Sequence, residues 1–236
     1  MADSNEISVQ GNESDGIYTD AGNTSDEKMI ATDGDNVITA GNNGIDHRGS
    51  GDVILTAENG GNIIYAGKGQ AEGALEGDGI RVAGDGDVTL NAQYNKIIAG
   101  DEGIYIGETA GNGGNTVNIY LNATKEKEGY GNYIQANDNG IQNEGNAQIT
   151  LRAETGHNYV EGSSNGIVVT EGVVRLISSE QNIIKAVQNG ITVAGEDSNV
   201  ILDGRYNTIA VNSSIVSDKV IDIVGLKAND GANIKY

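Results

Sequence analysis

Cysteine and proline are absent from this 236-residue chain, and so are tryptophan and phenylalanine. Without cysteine there are no disulfides, thiolate zinc sites, iron–sulfur clusters or cysteine nucleophiles. Two histidines, His47 and His157, leave little for a histidine-based metal or acid–base centre. Basic residues are scarce as well: 14 Lys and Arg stand against 34 Asp and Glu, a formal charge of −20 that argues against a DNA or RNA backbone as partner. No run of 18 apolar residues is present to span a bilayer as a helix. The first ten residues lack the basic head and apolar middle of a signal peptide. What is abundant is glycine, 36 residues, about twice ordinary usage, with no G-X-Y period that would mark a collagen-like chain.

The chain repeats. A segment N-x-I-x-A opens at Asn36 (NVITA), Asn62 (NIIYA), Asn95 (NKIIA), Asn132 (NYIQA), Asn158 (NYVEG), Asn182 (NIIKA) and Asn207 (NTIAV), with Asn5 (NEISV) as an earlier copy. Each is followed by a Gly-Ile pair at Ile17, Ile45, Ile80, Ile104, Ile141, Ile167 and Ile191, with Ser214-Ile215 as an imperfect last copy. A third segment, V/I-x-L, ends at Leu55, Leu90, Leu121, Leu151, Leu176, Leu202 and Leu226. The shortest unit is 24 residues, from Asn158 to Asn182. A fixed period in this range signals stacked supersecondary units.

Within the segments apolar residues alternate with others, as in Val88, Leu90, Ala92, the period of a strand with one buried face. Three short strands and three corners fill one unit, so the expected fold is all-β: a right-handed parallel β-helix, a solenoid of about eight coils of three short strands, in one domain over 1–236. A single coil cannot fold alone; stacked coils complete one another's hydrogen bonds. Proline is missing because it would remove a ladder bond from interior strands. The opening Asn residues are expected to stack as a ladder of side-chain amides. Gly and Asn at the corners are expected to supply left-handed backbone.

Inward positions are consumed by packing, so function is sought on outward columns and in insertions. The outward column of the first strand reads Val37, Ile63, Lys96, Tyr133, Tyr159, Ile183 and Thr208, with Thr39, Tyr65, Ile98, Gln135, Glu161 and Lys185 beside it. Apolar and tyrosine-bearing surface of this kind marks a contact site or reflects strand propensity alone. The candidate ligand-binding residues are therefore Tyr65, Tyr133, Tyr159, Ile63, Ile183 and Lys96. Three loops exceed the minimal unit: GKGQAEGALEGD from Gly67, GETAGNGGNT from Gly107 and TKEKEGYG from Thr124. They are neutral insertions or a lip beside the first-strand face.

Calcium and enzymatic readings are weaker. Asp33 with Asp35, Asp85 with Asp87, and Asp101 with Glu102 cluster at Gly-rich corners, but they occupy different positions in their units, and only Asp52 and Asp87 are equivalent neighbours. No metal or cofactor is expected. The five Arg are scattered over different strands, and the negative charge repels polyuronates, so a polysaccharide lyase is unsupported. A neutral-glycan hydrolase built on paired carboxylates remains the alternative function, with a passive stalk as a third. His47 and His157 read as surface or corner residues in different units.

The cysteine-free, proline-free units carrying N-x-I-x-A, N-G-I and V-x-L-x-A resemble the passenger domains of autotransporter adhesins and filamentous-haemagglutinin-like proteins of two-partner secretion, over about residues 5 to 228. The resemblance implies export, display on a bacterial outer membrane and non-enzymatic adhesion to a host-cell, matrix, glycan or bacterial surface ligand, without membrane insertion by this segment. It also implies that the chain is a piece of a longer surface protein, since the family's signal peptide and translocator barrel are absent and NIKY at 233–236 begins what reads as a further coil.

Overall fold

The computed structural model describes residues 2–67, 77–111, 114–195 and 198–211, and the backbone of 227–228. The interior of the loop after Gly67, the Ser214-Ile215 copy, Leu226 and NIKY lie outside the described residues.

Nineteen strands are described, and two parallel sheets collect them. The larger holds β1 (Asn5–Ser8), β3 (Glu27–Ala31), β4 (Asn36–Thr39), β6 (Val53–Tyr65), β8 (Val88–Ala99), β10 (Val117–Ala123), β11 (Tyr130–Ala136), β13 (Ala147–Ala153), β14 (His157–Gly162), β16 (Val173–Ala186), β18 (Asn199–Val211) and β19 (Lys227–Ala228). The smaller holds β2 (Ile17–Thr19), β5 (Ile45–His47), β7 (Ile80–Val82), β9 (Ile104–Ile106), β12 (Ile141–Asn143), β15 (Asn165–Val169) and β17 (Asn189–Val193).

Register follows the repeat. Equivalent positions pair in parallel from unit to unit, with Leu55, Leu90, Leu121, Leu151, Leu176 and Leu202 in one row. Ile45, Ile80, Ile104, Ile141, Ile167 and Ile191 form another in the smaller sheet. These rows and the Ile of each N-x-I segment face inward and form one buried cluster along the molecule. The opening Asn residues, half-buried at Asn5 and buried from Asn36 onward, form a directional ladder. Each Nδ2 donates to the next Oδ1 from Asn5 through Asn36, Asn62, Asn95, Asn132, Asn158 and Asn182 to Asn207, at 2.8 to 3.0 Å.

Pairing in the larger sheet closes. The path β8, β10, β13, β16, β14, β11 returns to β8, so six parallel strands form a hydrogen-bonded circuit, and in connectivity this is a closed parallel barrel with a second parallel sheet beside it. This corrects the expected right-handed parallel β-helix of separate three-strand coils. The physical reason lies in the long strands. In β6, β8, β16 and β18 the third segment of one unit and the first of the next run on without a break, where a corner was expected. Register shifts at Ala57/Gly61 and Ser178/Gln181 bend the chain within the strand. One half of β8 therefore pairs with β10 and the other with β11, which closes the path.

The Gly of the Gly-Ile pairs has another reason than the one expected. None of these glycines has positive φ; a Cβ on Gly79 would lie 2.1 Å from Ile97 Cγ2 and 2.5 Å from the Gly103 carbonyl oxygen. Close approach, and not left-handed backbone, excludes a side chain there.

Candidate recognition cleft

The outward column of the first segments assembles as the repeat requires: Val37, Ile63, Lys96, Tyr133, Tyr159, Ile183 and Thr208 are successive register partners. Above it lies the loop that follows Thr124. Lys127 and Tyr130 exchange backbone hydrogen bonds of 2.9 and 3.0 Å across Glu128 and Gly129, both left-handed at φ 56° and 89°. Two left-handed central residues give the tight turn of a two-residue hairpin. Glu128 is the one non-glycine residue with positive φ among the described residues. Unfavourable backbone of this kind persists where surrounding contacts fix it.

This turn sets Lys127 and Tyr130 side by side against the column. Lys127 Nζ donates to the Tyr94 hydroxyl at 2.7 Å and lies 4.5 Å from its ring centroid. The Tyr94 hydroxyl donates in turn to Asp35 Oδ1 at 3.1 Å, an oxygen that also accepts the Gly61 N–H at 2.7 Å. Gly61 is the register partner of Tyr94, and a Cβ there would sit 2.3 Å from the ring. The glycine thus makes room for the tyrosine.

Tyr133 and Tyr159 stack with centroids 4.9 Å apart and planes 3° apart, and Tyr130 stands across both at 5.3 and 5.2 Å. Lys96 lies 5.7 Å from the Tyr133 centroid and Lys185 lies 5.1 Å from that of Tyr159. The Tyr133 hydroxyl donates to Gln135 Oε1 at 3.1 Å, and that of Tyr159 donates to Glu161 Oε2. Burial raises the pKa of Tyr94, Tyr133 and Tyr159, so all three hydroxyls stay protonated at neutral pH.

The groups enclose a cleft of about 300 Å³. Five of the six residues singled out from sequence line it: Ile63, Tyr65, Lys96, Tyr133 and Tyr159. Ile183 does not; it is half-buried between Tyr159 and Thr208 in the sheet. The expected exposed apolar stripe needs a correction, because Ile63 is 8% and Tyr159 5% exposed. Here the loop and the tyrosines cover the strand face and leave a pocket. Sequence reasoning missed Tyr94; Lys127, Glu128 and Tyr130 lie in the loop from Thr124 that was read as a neutral insertion or a lip beside this face, without being singled out as residues. The usable signal was the residue before each opening Asn, where Tyr94 follows Gly61 by one unit.

The other acidic clusters are bound into the framework. Asp26, Asp52 and Asp87 accept backbone N–H groups of Asp52, Asp87 and Asn118 at 2.7 to 3.1 Å, one unit to the next. Asp78, Asp101 and Glu102 bring oxygens within 4.8 Å of one another. Burial, then the bond to Asp78, pushes Glu102 up to about 9; burial pushes Asp78 up to about 6. The Glu102 backbone N–H donates to Asp78 Oδ1 at 3.2 Å. Asn139 Nδ2 donates to Glu102 Oε1 at 3.2 Å, and Asp78 N–H donates to Asn43 Oδ1 at 2.8 Å. These contacts join neighbouring units.

His47 corrects its expectation as a surface or corner residue. It is fully buried in β5 with Nδ1 2.6 Å from the Thr19 hydroxyl, and burial lowers its pKa. His157 is half-buried and lies 3.5 Å from Glu180.

Comparison with known proteins returns no matching family model, no matching curated protein and no matching solved structure. No match therefore identifies an autotransporter or haemagglutinin-like segment, and the expected assignment as an adhesin of that type finds no support there. Among the described residues no helix is long and apolar enough to cross a membrane.

Proposed function

We propose that this chain is a non-enzymatic recognition module that binds a saccharide of a surface partner in the tyrosine and lysine cleft. The observation that carries the proposal is the convergence of five tyrosines, Tyr65, Tyr94, Tyr130, Tyr133 and Tyr159, with Lys96 and Lys127 around one concavity on an otherwise regular sheet. Size favours a sugar over a protein surface. A cleft of about 300 Å³ is at the low end of small-ligand pockets, whereas a stable protein interface needs about 800 Å² from each partner. Tyrosine supplies an apolar body and a polar tip, which suits a sugar's mixed surface. Weak binding per site is compensated when several copies engage one surface.

The test is a glycan-array screen of the intact chain beside a Tyr133→Ser/Tyr159→Ser variant whose circular dichroism matches the parent. Binding by the parent and its loss in the variant support the proposal. Absence of binding by the parent, or equal binding by both, refutes it. Release of reducing sugar from an array glycan, abolished by Glu128→Gln at the cleft, would instead establish the hydrolase alternative.

A further inference from the structure

We infer that the cleft selects saccharides bearing a single carboxylate, which the Lys96 and Lys127 ammonium groups hold while ring hydroxyls donate to Glu128; this rests on the cleft being a saccharide site. The first observation is that its cations stand in no ion pair. Three ion pairs occur among the described residues, and none includes Lys96, Lys127 or Lys185. The three ammonium groups lie 5.7, 4.5 and 5.1 Å from tyrosine ring centroids, and Lys127 also donates to the Tyr94 hydroxyl at 2.7 Å. A cation–π contact, or an ammonium bond to a neutral hydroxyl, is weaker than an ammonium–carboxylate bond, so an arriving carboxylate gains by engaging the ammonium groups.

The same contacts exclude the opposite ligand. An aromatic pocket ordinarily attracts quaternary ammonium groups through its ring faces. Here lysines already occupy faces of Tyr94, Tyr133 and Tyr159, and a cationic ligand would meet both filled faces and like charge.

Charge magnitude limits the anion to one group. The whole chain carries −20, so an extended polyanion meets repulsion along its length. Salt screens charges beyond roughly 8 Å at physiological ionic strength, and a lone carboxylate is governed by the two lysines that line the cleft. Glu128 lines it too, which disfavours a second anionic group and offers an acceptor to hydroxyls.

The experiment is isothermal titration of the intact chain with 3′-sialyllactose, with lactose as its neutral counterpart and a heparin hexasaccharide as a polyanion. The inference predicts tighter binding of sialyllactose than of either other sugar, weakening with salt, and a loss of roughly tenfold or more for Lys96→Gln and for Lys127→Gln. Equal binding of lactose, unchanged by the lysine substitutions but lost in Tyr133→Ser/Tyr159→Ser, overturns the carboxylate inference and leaves the saccharide site standing. Tightest binding of heparin also overturns it. No binding of any of the three, together with an empty glycan array, removes both.

Discussion

Replacing Asn132 by Ala probes the amide ladder in its buried interior. Asn132 is fully buried; its Nδ2 donates to the Arg152 carbonyl at 3.0 Å and Asn158 Oδ1 at 2.8 Å, and its Oδ1 accepts from Asn95 at 2.9 Å. The substitution deletes three hydrogen bonds and leaves the buried Asn158 oxygen without its ladder donor. At about 1 kcal/mol net per bond, with a further 1 to 2 for the orphaned oxygen, the expected loss is about 4 to 5 kcal/mol. Asn5, at the end of the ladder, is half-buried and donates one bond along it, so Asn5→Ala is expected to lose about 1 kcal/mol or less. Urea denaturation followed by circular dichroism measures both. A loss below about 1.5 kcal/mol for Asn132→Ala, or equal losses at the two positions, would refute the view that the ladder acts as a buried, mutually satisfied network.

Three further outcomes are expected. Gly61→Ala should push the Tyr94 ring from its place, break its bond to Asp35 and abolish saccharide binding while thermal stability changes by roughly 1 kcal/mol; a crystal structure with Tyr94 unmoved would contradict this. Asp78 and Glu102 have raised folded-state pKa values, so their contribution to stability is full below about pH 4 and is lost as pH climbs toward 6 and 9; Glu102→Gln should flatten the fall in melting temperature between pH 6 and 9. His47 has the opposite sign: its pKa is lowered by burial, so its contribution is full above pH 6.5 and is lost as pH falls, and a His47→Gln variant should be less acid-sensitive than the parent between pH 6.5 and 4.5. Identical pH profiles for parent and variant would contradict either assignment.

The repeat made the register legible before any coordinates. Asn36, Asn62, Asn95 and their equivalents could be aligned by eye, and period-two alternation assigned Ile97 inward and Lys96 outward, which fixed the column that lines the cleft. Closure of the larger sheet was not legible, because it depends on whether the chain bends inside a strand or breaks at a corner. Nothing in Ala92-Gln93-Tyr94-Asn95 distinguishes the two by composition. The tyrosine column was found, and the loop from Thr124 was offered as a lip beside it, but which of its residues reach the column was not legible. The turn at Glu128 and Gly129 lacks the Asn-Gly pair that usually marks such a hairpin, so its approach to Tyr133 had no sequence signature. His47 was misplaced because the three-residue strand of Ile45, Asp46 and His47 is buried throughout and does not alternate.

The cleft itself is tested most directly by mapping a bound saccharide onto the folded chain by NMR. With 3′-sialyllactose added, perturbed signals should cluster at Tyr94, Lys96, Lys127, Tyr130, Tyr133 and Tyr159, while Ile80, Ile104 and Ile141 of the smaller sheet keep theirs. Perturbations centred on the smaller sheet, or spread evenly over the molecule, would contradict the assignment of recognition to this face.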